Sequence, residues 1–443
     1  MLPISKQKLE EVIDRLGIVD IKTATIRQIC SLSAELEKEA DEQFVHLELG
    51  NPGLPAQAIG VEAECEALRS GIANQYPNIA GIAPLKNAGS EFVKAFLDLD
   101  ISPKCVIPTV GSMQGSFTLM LLLKQRIPGK DTILIINPGF PAQTHQAKIL
   151  GMNVESFDFY NYRGKKLEEK LESIMSSGKI TAMIYSNPNN PAWTNFTEEE
   201  LEIIGRMATK HDVIVMEDLA YLGMDFRTDC SKPFEPPFIP TVGKYTDNYI
   251  LLISASKIFS YAGQRIAMVC MSDAVYNRKY PYLESFYEMH SFGDCYVFGV
   301  LYTASSGTAH SAQHALAAML DKAVKGELDF VKDCSEYGRR AGILKKLLLE
   351  NGFHIVYDKD GDRDISDGFF FTAGYKDMDG VTLQRELLRH GISSISLPCT
   401  GSTQEGVRIC VSKISDDETF NRFSHRLKSF DDEYKLLHGA GSR

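Results

Sequence analysis

Short apolar runs alternate with helical patterns through the first two thirds of the chain. The runs near residues 132, 180 and 212 are continuously apolar, which is typical of strands buried on both faces of a sheet. The predicted strands are 105–110, 132–136, 154–158, 180–186, 212–217, 249–254 and 266–271. Strands that alternate with helices predict an α/β fold with a mostly parallel, doubly wound sheet, in which ligands gather at the strand ends.

Two helices in this region have clear starts. Thr197 and Glu200 form a capping-box pattern ahead of an apolar helical face. After the strand 105–110, an apolar helix is predicted from Gly111 to about Gln125, with a serine as its cap. A helix N-terminus of this kind is a natural site for a phosphate group.

The pattern changes after about residue 305. Residues 309–349 are largely helical in pattern, and shorter strands are predicted at 369–373, 392–397 and 407–411 with helices between them. This combination predicts a second, smaller α/β domain. The tail 431–443 is predicted to be loosely ordered.

Composition and charge narrow the class of protein. The chain has 443 residues, 44% hydrophobic and 24% charged, and a net charge of −11, which argues against nucleic acids and anionic membranes as partners. An apolar run long enough to span a membrane and an N-terminal signal region are both missing from the pattern. The nine cysteines lack a Cys-x-x-Cys pair and predict reduced core thiols, without a metal site. These features predict a cytoplasmic protein.

Lys257 carries the strongest chemical signal in the chain. It lies in a turn of small residues after the apolar run 249–253, and Arg265 follows eight positions later. An amine that forms an imine with an aldehyde must reach its neutral form, and burial or neighbouring cations lower a lysine pKa from about 10.4. The planar guanidinium of Arg265 suits a phosphate group.

Three further side chains extend this set. Asp218 and Tyr221 follow the apolar run 213–216, and Asn190 lies in the segment 187–191, Asn-Pro-Asn-Asn-Pro. A buried carboxylate can keep a pyridine nitrogen protonated so that the ring acts as an electron sink, while the phenol and the amide can donate to a ring oxygen. An amine, a carboxylate, a phenol, an amide and a guanidinium together predict an enzyme that uses pyridoxal phosphate.

The order and spacing of these motifs resemble the class I and II aminotransferases, which have the aspartate aminotransferase-like fold. The resemblance runs from about Leu47 to about Ser412 and rests on four motifs: the N-P-x-x-P segment, D-x-A-Y, S-x-S-K with its later arginine, and a late R-[IV] strand. Each motif alone is weak, but four in order are specific.

The resemblance implies roles for further residues. The cofactor phosphate is expected at the helix start and a nearby hydroxyl, through Ser112, Met113, Gln114 and Ser254. Phe140 matches the aromatic residue that stacks on the pyridine ring, and Tyr76 resembles the tyrosine that reaches the phosphate of a neighbouring subunit. Arg408 resembles the arginine that grips the substrate's α-carboxylate, and Gly50 and Asn190 are expected to line the substrate pocket. Taken singly, the serines, Phe140, Tyr76 and Arg408 are ordinary cap, core, turn and strand residues.

The sequence departs from the family in two places. Trp193, the single tryptophan, stands where the family commonly has glycine, which is expected to narrow the range of substrates or move the loop. Members specific for dicarboxylates carry a second arginine thirty-odd positions after the lysine, and the stretch 288–294 contains none. Aspartate specificity is therefore not supported.

The resemblance implies an aminotransferase of amino acid metabolism that acts on an L-amino acid and a 2-oxo acid through a Lys257 imine, as a homodimer with shared active sites. It divides the chain into an N-terminal segment (1–50) that packs with the small domain, a large cofactor-binding domain (51–305), and a connecting helix with the small domain (306–443). Two alternatives stay open: a pyridoxal phosphate-dependent C–S β-lyase on the same scaffold, and a non-catalytic, aminotransferase-like ligand-sensing module.

Overall fold

The computed structural model describes residues 2–439. By their internal contacts these residues form two compact units. Unit 1 contains the described parts of Met1–Gly53, Asn190–Thr194 and Ser335–Arg443, and unit 2 contains Leu54–Asn189 and Asn195–Cys334.

Helices and strands occupy most of both units. The helices are α1 (Lys6–Arg15), α2 (Ile26–Ala40), α3 (Ala58–Arg69), α4 (Ala83–Leu97), α5 (Gly111–Gln125), α6 (Pro141–Ile149), α7 (Lys165–Met175), α8 (Glu198–His211), α9 (Ala255–Ile258), α10 (Asp273–Asn277), α11 (Pro281–Tyr287), α12 (Phe292–Asp294), α13 (Tyr302–Ser305), α14 (His310–Val324), α15 (Phe330–Glu350), α16 (Gly380–Arg389) and α17 (Asp417–Gly439), with a π-helix at Cys295–Leu301. The strands are β1 (Val45–His46), β2 (Val106–Val110), β3 (Thr132–Asn137), β4 (Asn153–Asp158), β5 (Ile180–Ser186), β6 (Ile214–Asp218), β7 (Tyr249–Ser254), β8 (Ile266–Met271), β9 (Phe353–Ile355), β10 (Lys359–Asp360), β11 (Arg363–Asp364), β12 (Phe370–Tyr375), β13 (Ile392–Ser393), β14 (Ile395–Ser396) and β15 (Val407–Cys410).

Unit 2 is built on a seven-stranded sheet in the order β2-β8-β7-β6-β5-β3-β4. The strands from β7 to β4 pair in parallel, while β8 runs antiparallel to both β7 and β2. All seven strands predicted from the apolar runs are present, and the mostly parallel sheet is confirmed. Every residue of β5, β7 and β8 is buried, as a strand covered on both faces requires.

Unit 1 contains a four-stranded antiparallel sheet in the order β14-β15-β12-β9, the parallel pair β1-β13 and the hairpin β10-β11. Helices α1 and α2 bury their apolar faces in a common cluster with Leu388 of α16. The capping box predicted in unit 2 is present at Thr197 and Glu200, and a second one starts α2 at Thr25.

The stretch 309–349 is largely helical, as predicted, and consists of two helices, α14 and α15. Two other local predictions are wrong. The residue at the cap position of α5 is Val110, and Ser112 lies inside the first turn, so no serine caps this helix. Residues 431–439 of the tail continue α17, where Lys435 and Asp431 form an i, i+4 ion pair that supports the helix; residues 440–443 lie outside the described residues.

Among residues 2–439, none of the helices combines the length and the apolar character needed to cross a lipid bilayer. All nine cysteines are free thiols, and six of them are buried.

Candidate functional site

The carboxyl ends of the parallel strands in unit 2 meet at one edge of the sheet. Asp218 is the last residue of β6, and its strand partner Leu252 lies two residues before Ser254, the last residue of β7. Helix α9 follows β7 at once, and Lys257 lies within it. Because neighbouring parallel strands end at the same edge, the sheet brings Asp218, Ser254 and Lys257 to one side of unit 2.

Asp218 is a buried carboxylate. Its Oδ2 accepts a hydrogen bond from Nε2 of Gln143 (3.0 Å), and its Oδ1 accepts one from the backbone N–H of Ala220 (3.2 Å). Burial raises the pKa of Asp218 to about 6, and the two hydrogen bonds oppose this rise. Both donors are neutral, so a cationic group of a ligand facing Asp218 would stabilise its charged form. A protonated pyridine nitrogen has that property.

Lys257 and Tyr221 both lie three residues past the end of a strand. Lys257 is half-buried, and its backbone carbonyl accepts from the N–H of Ser260 and the thiol of Cys334. Tyr221 is 5% exposed and lies three residues past the end of β6. Ser254 caps α9, since its Oγ accepts from the N–H of Ser256.

A guanidinium lies against the start of α5. Gly111, at the first position of this 15-residue helix, has a φ of +67°, and a Cβ placed on it would lie 2.4 Å from Nη2 of Arg265. Arg265 precedes β8, whose residue Ile266 pairs with Val110 at the end of β2. The guanidinium of Arg265 therefore lies directly against the positive end of the α5 dipole, a combination that favours a phosphate group.

Contacts around Arg265 and the first turn of α5 fix this arrangement. Arg265 is exposed and donates from Nη1 to the carbonyl of Ala262 (2.9 Å). Oε1 of Gln114 accepts from the N–H of Val110 (2.8 Å), so this side chain holds the start of the helix. Ser112 and Met113 complete the first turn. Ser112 is half-buried, and Met113 is 37% exposed.

Phe140 and Tyr76 occupy different positions relative to this strand edge. Phe140 is half-buried at the cap position of α6, three residues past the end of β3. Tyr76 is 91% exposed in the loop before α4. The structure therefore places Phe140 near the strand ends, whereas the ring of Tyr76 faces solvent.

Arg408, Asn190 and Gly50 come together in unit 1. Arg408 is 2% exposed on β15, donates from Nη1 to Oδ1 of Asn190 (3.1 Å) and from Nη2 to the backbone carbonyl of Glu48, and lies over the ring of Phe370 with Cζ 4.5 Å from the ring centre. A Cβ on Gly50 would lie 3.2 Å from the same ring. Phe370 is thus a common neighbour of Arg408 and Gly50.

In these contacts, the charge of Arg408 meets only neutral groups: the amide of Asn190, the backbone carbonyl of Glu48 and the ring of Phe370. Its Nε has no hydrogen-bond partner within residues 2–439. A buried guanidinium is costly unless it is paired with an acceptor, and a carboxylate offers the matching bidentate geometry. The position is therefore suited to a ligand carboxylate.

Three neighbours of the predicted residues were not found from the sequence. Gln143 lies on a mixed helix, Glu48 in a bend two residues after β1 and Phe370 in an apolar strand, and none belongs to a recognisable motif. The periodicity of the strand around Phe370 was the single usable signal, and it indicated burial rather than a role beside Arg408.

Comparison with known proteins gives a consistent result. Residues 45–424 match the family described as aminotransferase class I and II. The chain is 27% identical to the glutamate-pyruvate aminotransferase AlaC of Escherichia coli over 342 residues, covering 75% of this chain and 74% of that protein. It is 23% identical over 377 residues to a probable aspartate aminotransferase of Methanocaldococcus jannaschii, covering 84% and 88%. The structure of aspartate aminotransferase from Thermus thermophilus with maleate superimposes with a TM-score of 0.73 at 19% identity, covering 92% of this chain and 96% of that one.

Proposed function

This chain belongs to the class I and II aminotransferases and is an aminotransferase, and from that membership we propose that it carries pyridoxal phosphate on Lys257 and takes an L-amino acid and a 2-oxo acid as substrates. One observation carries the proposal: the buried carboxylate of Asp218 ends the strand beside the one that leads to Ser254 and Lys257. This pairing supplies a carboxylate for the pyridine nitrogen and an amine for the aldehyde.

The residues of unit 2 fit the cofactor. The phosphate is held by the first turn of α5, Arg265 and the hydroxyl of Ser254, because helix N–H groups, a guanidinium and a hydroxyl all donate to anionic oxygen. The close approach of Arg265 to Gly111 supports this role, since a side chain at residue 111 would displace the guanidinium. Phe140 would pack against the ring.

The chemistry divides between the cofactor and the chain. When bound, pyridoxal phosphate withdraws electrons from the substrate's Cα through its protonated ring. Asp218 keeps the proton on the ring nitrogen, and its hydrogen bond from Gln143 holds the carboxylate in place. Tyr221 and Asn190 donate to the ring oxygen. The amine of Lys257 would hold the aldehyde of the cofactor and, once freed, would act as the base that moves the proton of the substrate's Cα.

Arg408 binds the α-carboxylate of the substrate. Its hydrogen bonds to Asn190 and to the carbonyl of Glu48, together with the ring of Phe370, hold the guanidinium in one orientation. A fixed guanidinium positions both substrates alike, because the amino acid and the oxo acid share this carboxylate.

The enzyme acts as a homodimer with shared active sites. Tyr76, 91% exposed, serves the phosphate of the neighbouring subunit. Large exposed aromatic side chains on unit 2 support association with a second copy: Tyr282, Phe286, Phe298 and Tyr302. The nine free cysteines support a reducing compartment, the cytoplasm.

Absorbance spectra test the function. The purified protein with pyridoxal phosphate is recorded before and after the addition of single L-amino acids without an acceptor. We expect the visible band of the bound cofactor to give way to the band of its amino form, with one equivalent of 2-oxo acid released. Release of pyruvate and ammonia over many turnovers without an acceptor would contradict the proposal and assign a β-lyase instead.

Borohydride reduction followed by peptide mapping tests the lysine. Lys86 is the matched control, because burial lowers its pKa to about 8 while its Nζ donates to the carbonyls of Ala80 (2.7 Å) and Val106 (2.6 Å). We expect the reduced cofactor on Lys257 alone. Cofactor on Lys86, or on neither lysine, would overturn the assignment.

A further inference from the structure

Trp193 occupies a position that a large side chain rarely adopts. Its φ is +64°, a left-handed conformation that favours glycine, and its side chain is 0% exposed. Residues 190–194 pack in unit 1, although the residues on either side of them belong to unit 2. The indole is therefore held inside unit 1, on the segment that also carries Asn190.

Gly368 makes room for the indole. A Cβ placed on Gly368 would lie 2.1 Å from both Cε2 and Cζ2 of Trp193, well inside any possible contact. Because the obstacle is a rigid, fully buried ring, the neighbour cannot move aside as a flexible side chain could. Residue 368 must be glycine as long as residue 193 is tryptophan.

The indole also contacts the ring that supports the substrate-binding arginine. The rings of Trp193 and Phe370 meet edge to face, with centroids 6.2 Å apart and an interplanar angle of 69°. The guanidinium of Arg408 lies 4.5 Å from the centre of the Phe370 ring. Trp193, Phe370 and Arg408 thus form a continuous packed series within unit 1, which we name the tryptophan relay.

We propose that Trp193 is a positioning residue that sets the grip of Arg408 on the substrate carboxylate through the ring of Phe370. The inference rests on the proposed role of Arg408. Trp193 is fully buried and acts through Phe370, so it contributes to the part of the substrate that all donors share. Its replacement therefore changes the KM of every amino acid donor by a similar factor and leaves their order of preference unchanged.

Steady-state kinetics of four variants test this coupling: Trp193→Gly, Trp193→Phe, Gly368→Ala and the double variant Trp193→Gly/Gly368→Ala. Glycine accepts the positive φ at residue 193, so that change removes the ring without adding backbone strain. We expect Trp193→Gly to raise KM about tenfold for each donor with kcat little changed. Without the indole, Phe370 loses its packing support, which weakens its cation–π contact with Arg408 and therefore the binding of the substrate carboxylate in ground and transition states alike. Trp193→Phe should recover part of this loss.

The double variant separates the relay from general damage. Gly368→Ala alone should raise KM through the collision with the indole, and removing the indole should abolish that collision. The KM of the double variant should therefore equal that of Trp193→Gly, which makes the two changes strongly non-additive. Additive effects, a changed order of donor preference, or an equal fall in kcat and kcat/KM would overturn the inference.

Intrinsic fluorescence provides a readout that needs no turnover. Trp193 is the single tryptophan, so the tryptophan emission of the wild-type holoenzyme, excited selectively over the tyrosines, reports on the relay. Propanoate, which offers a carboxylate and no amine, should change this emission with the same half-saturation as its inhibition of turnover, and Arg408→Gln should abolish the change. Propanoate inhibition or calorimetric binding without a change in emission would overturn the inference. Should the wild type transfer no amino group, the proposed function fails, while emission and calorimetry still decide whether Arg408 and Trp193 are coupled.

Discussion

Gln143 donates a hydrogen bond from Nε2 to Oδ2 of Asp218 over 3.0 Å. This amide and the N–H of Ala220 are the neutral donors that partly compensate a carboxylate otherwise destabilised by burial. A buried carboxylate charge is unfavourable unless an opposite charge lies beside it. The position of Asp218 therefore favours the binding of a cationic ligand group. If the cofactor binds here as proposed, its binding and the protonation of Asp218 are linked.

Asp218→Asn should remove part of the pH dependence of stability of the cofactor-free protein. Burial raises the folded pKa of Asp218 to about 6 from 3.8, so the folded state binds this proton more tightly than the unfolded state. Stability conferred by the protonated carboxyl is lost as the pH rises from about 4 to 6, by roughly 3 kcal/mol once both states are ionised. Unfolding of the variant, followed by circular dichroism between pH 4 and 8, should show a flatter profile, while turnover is lost.

Glu217 is the matched control for this change. It precedes Asp218 on β6, is fully buried, and burial raises its pKa to about 7. Glu217→Gln should also reduce the dependence of the free energy of unfolding on pH, but over a range that extends to about pH 7. It should leave the absorbance spectrum of the bound cofactor unchanged. An Asp218→Asn variant that keeps wild-type turnover would contradict the role of Asp218.

Gly111→Ala should weaken cofactor binding. The new Cβ would lie 2.4 Å from Nη2 of Arg265, and the φ of +67° adds backbone strain of about 1 kcal/mol. We expect the dissociation constant of pyridoxal phosphate, measured by titration of the cofactor-free protein, to rise at least tenfold. Gly129→Ala is the control, since residue 129 has a φ of +85° but nothing within 4 Å of its Cβ position. It carries the same strain and should bind the cofactor normally; equal losses in the two variants would contradict the phosphate role.

The strands and the residues that follow them could be predicted from local sequence. An apolar run such as 180–186 can lie only in the interior, and a polar residue at the end of such a strand, such as Asp218 two positions after the run 213–216, lies at the sheet edge where ligands bind. The spacing between Lys257 and Arg265 is also local, since only the end of α9 and a short turn ahead of β8 separate them. These parts of the site depend on neighbours in sequence.

The remaining contacts depend on residues that are far apart in the chain. Arg408 and Asn190 are 218 positions apart, and the packing of residues 190–194 in unit 1 leaves no mark in composition or periodicity. The hydrogen bond from Gln143 has no local signal either, because a glutamine on a helix is usually a solvated side chain. Such pairings follow from tertiary packing, which local patterns do not encode.

His46→Gln should lower stability at acidic pH and have less effect at alkaline pH. Nδ1 of His46 lies 2.9 Å from Oε1 of Glu48, and this hydrogen bond raises the pKa of His46 above 6.5. A raised histidine pKa stabilises the folded state fully below the unfolded pKa of 6.5, and the contribution is lost as the pH rises through the folded value. The free energy of unfolding, measured with denaturant at pH 5.5 and at pH 9, should therefore differ less between the two pH values in the variant than in the wild type.

The same pair bears on Arg408, which donates to the backbone carbonyl of Glu48. Loss of His46 should raise KM for the amino acid donor without lowering kcat, because the carbonyl that orients the guanidinium is less firmly held. His425→Gln is a suitable comparison, since His425 is an exposed histidine on α17. A His46→Gln variant with an unchanged difference in stability between the two pH values would contradict the ion pair.

Mixing two inactive variants should restore activity if the active sites are shared. Lys257→Ala lacks the amine and Tyr76→Ala lacks the exposed phenol. In a mixed dimer, the site that holds the intact Lys257 receives the intact Tyr76 from the other subunit, so one site of two is complete. After unfolding and refolding an equimolar mixture, turnover should reach about a quarter of the wild-type value, as random pairing of a two-fold dimer predicts. Each variant refolded alone controls for residual turnover, and a mixture no more active than their average would show that Tyr76 serves its own subunit or none.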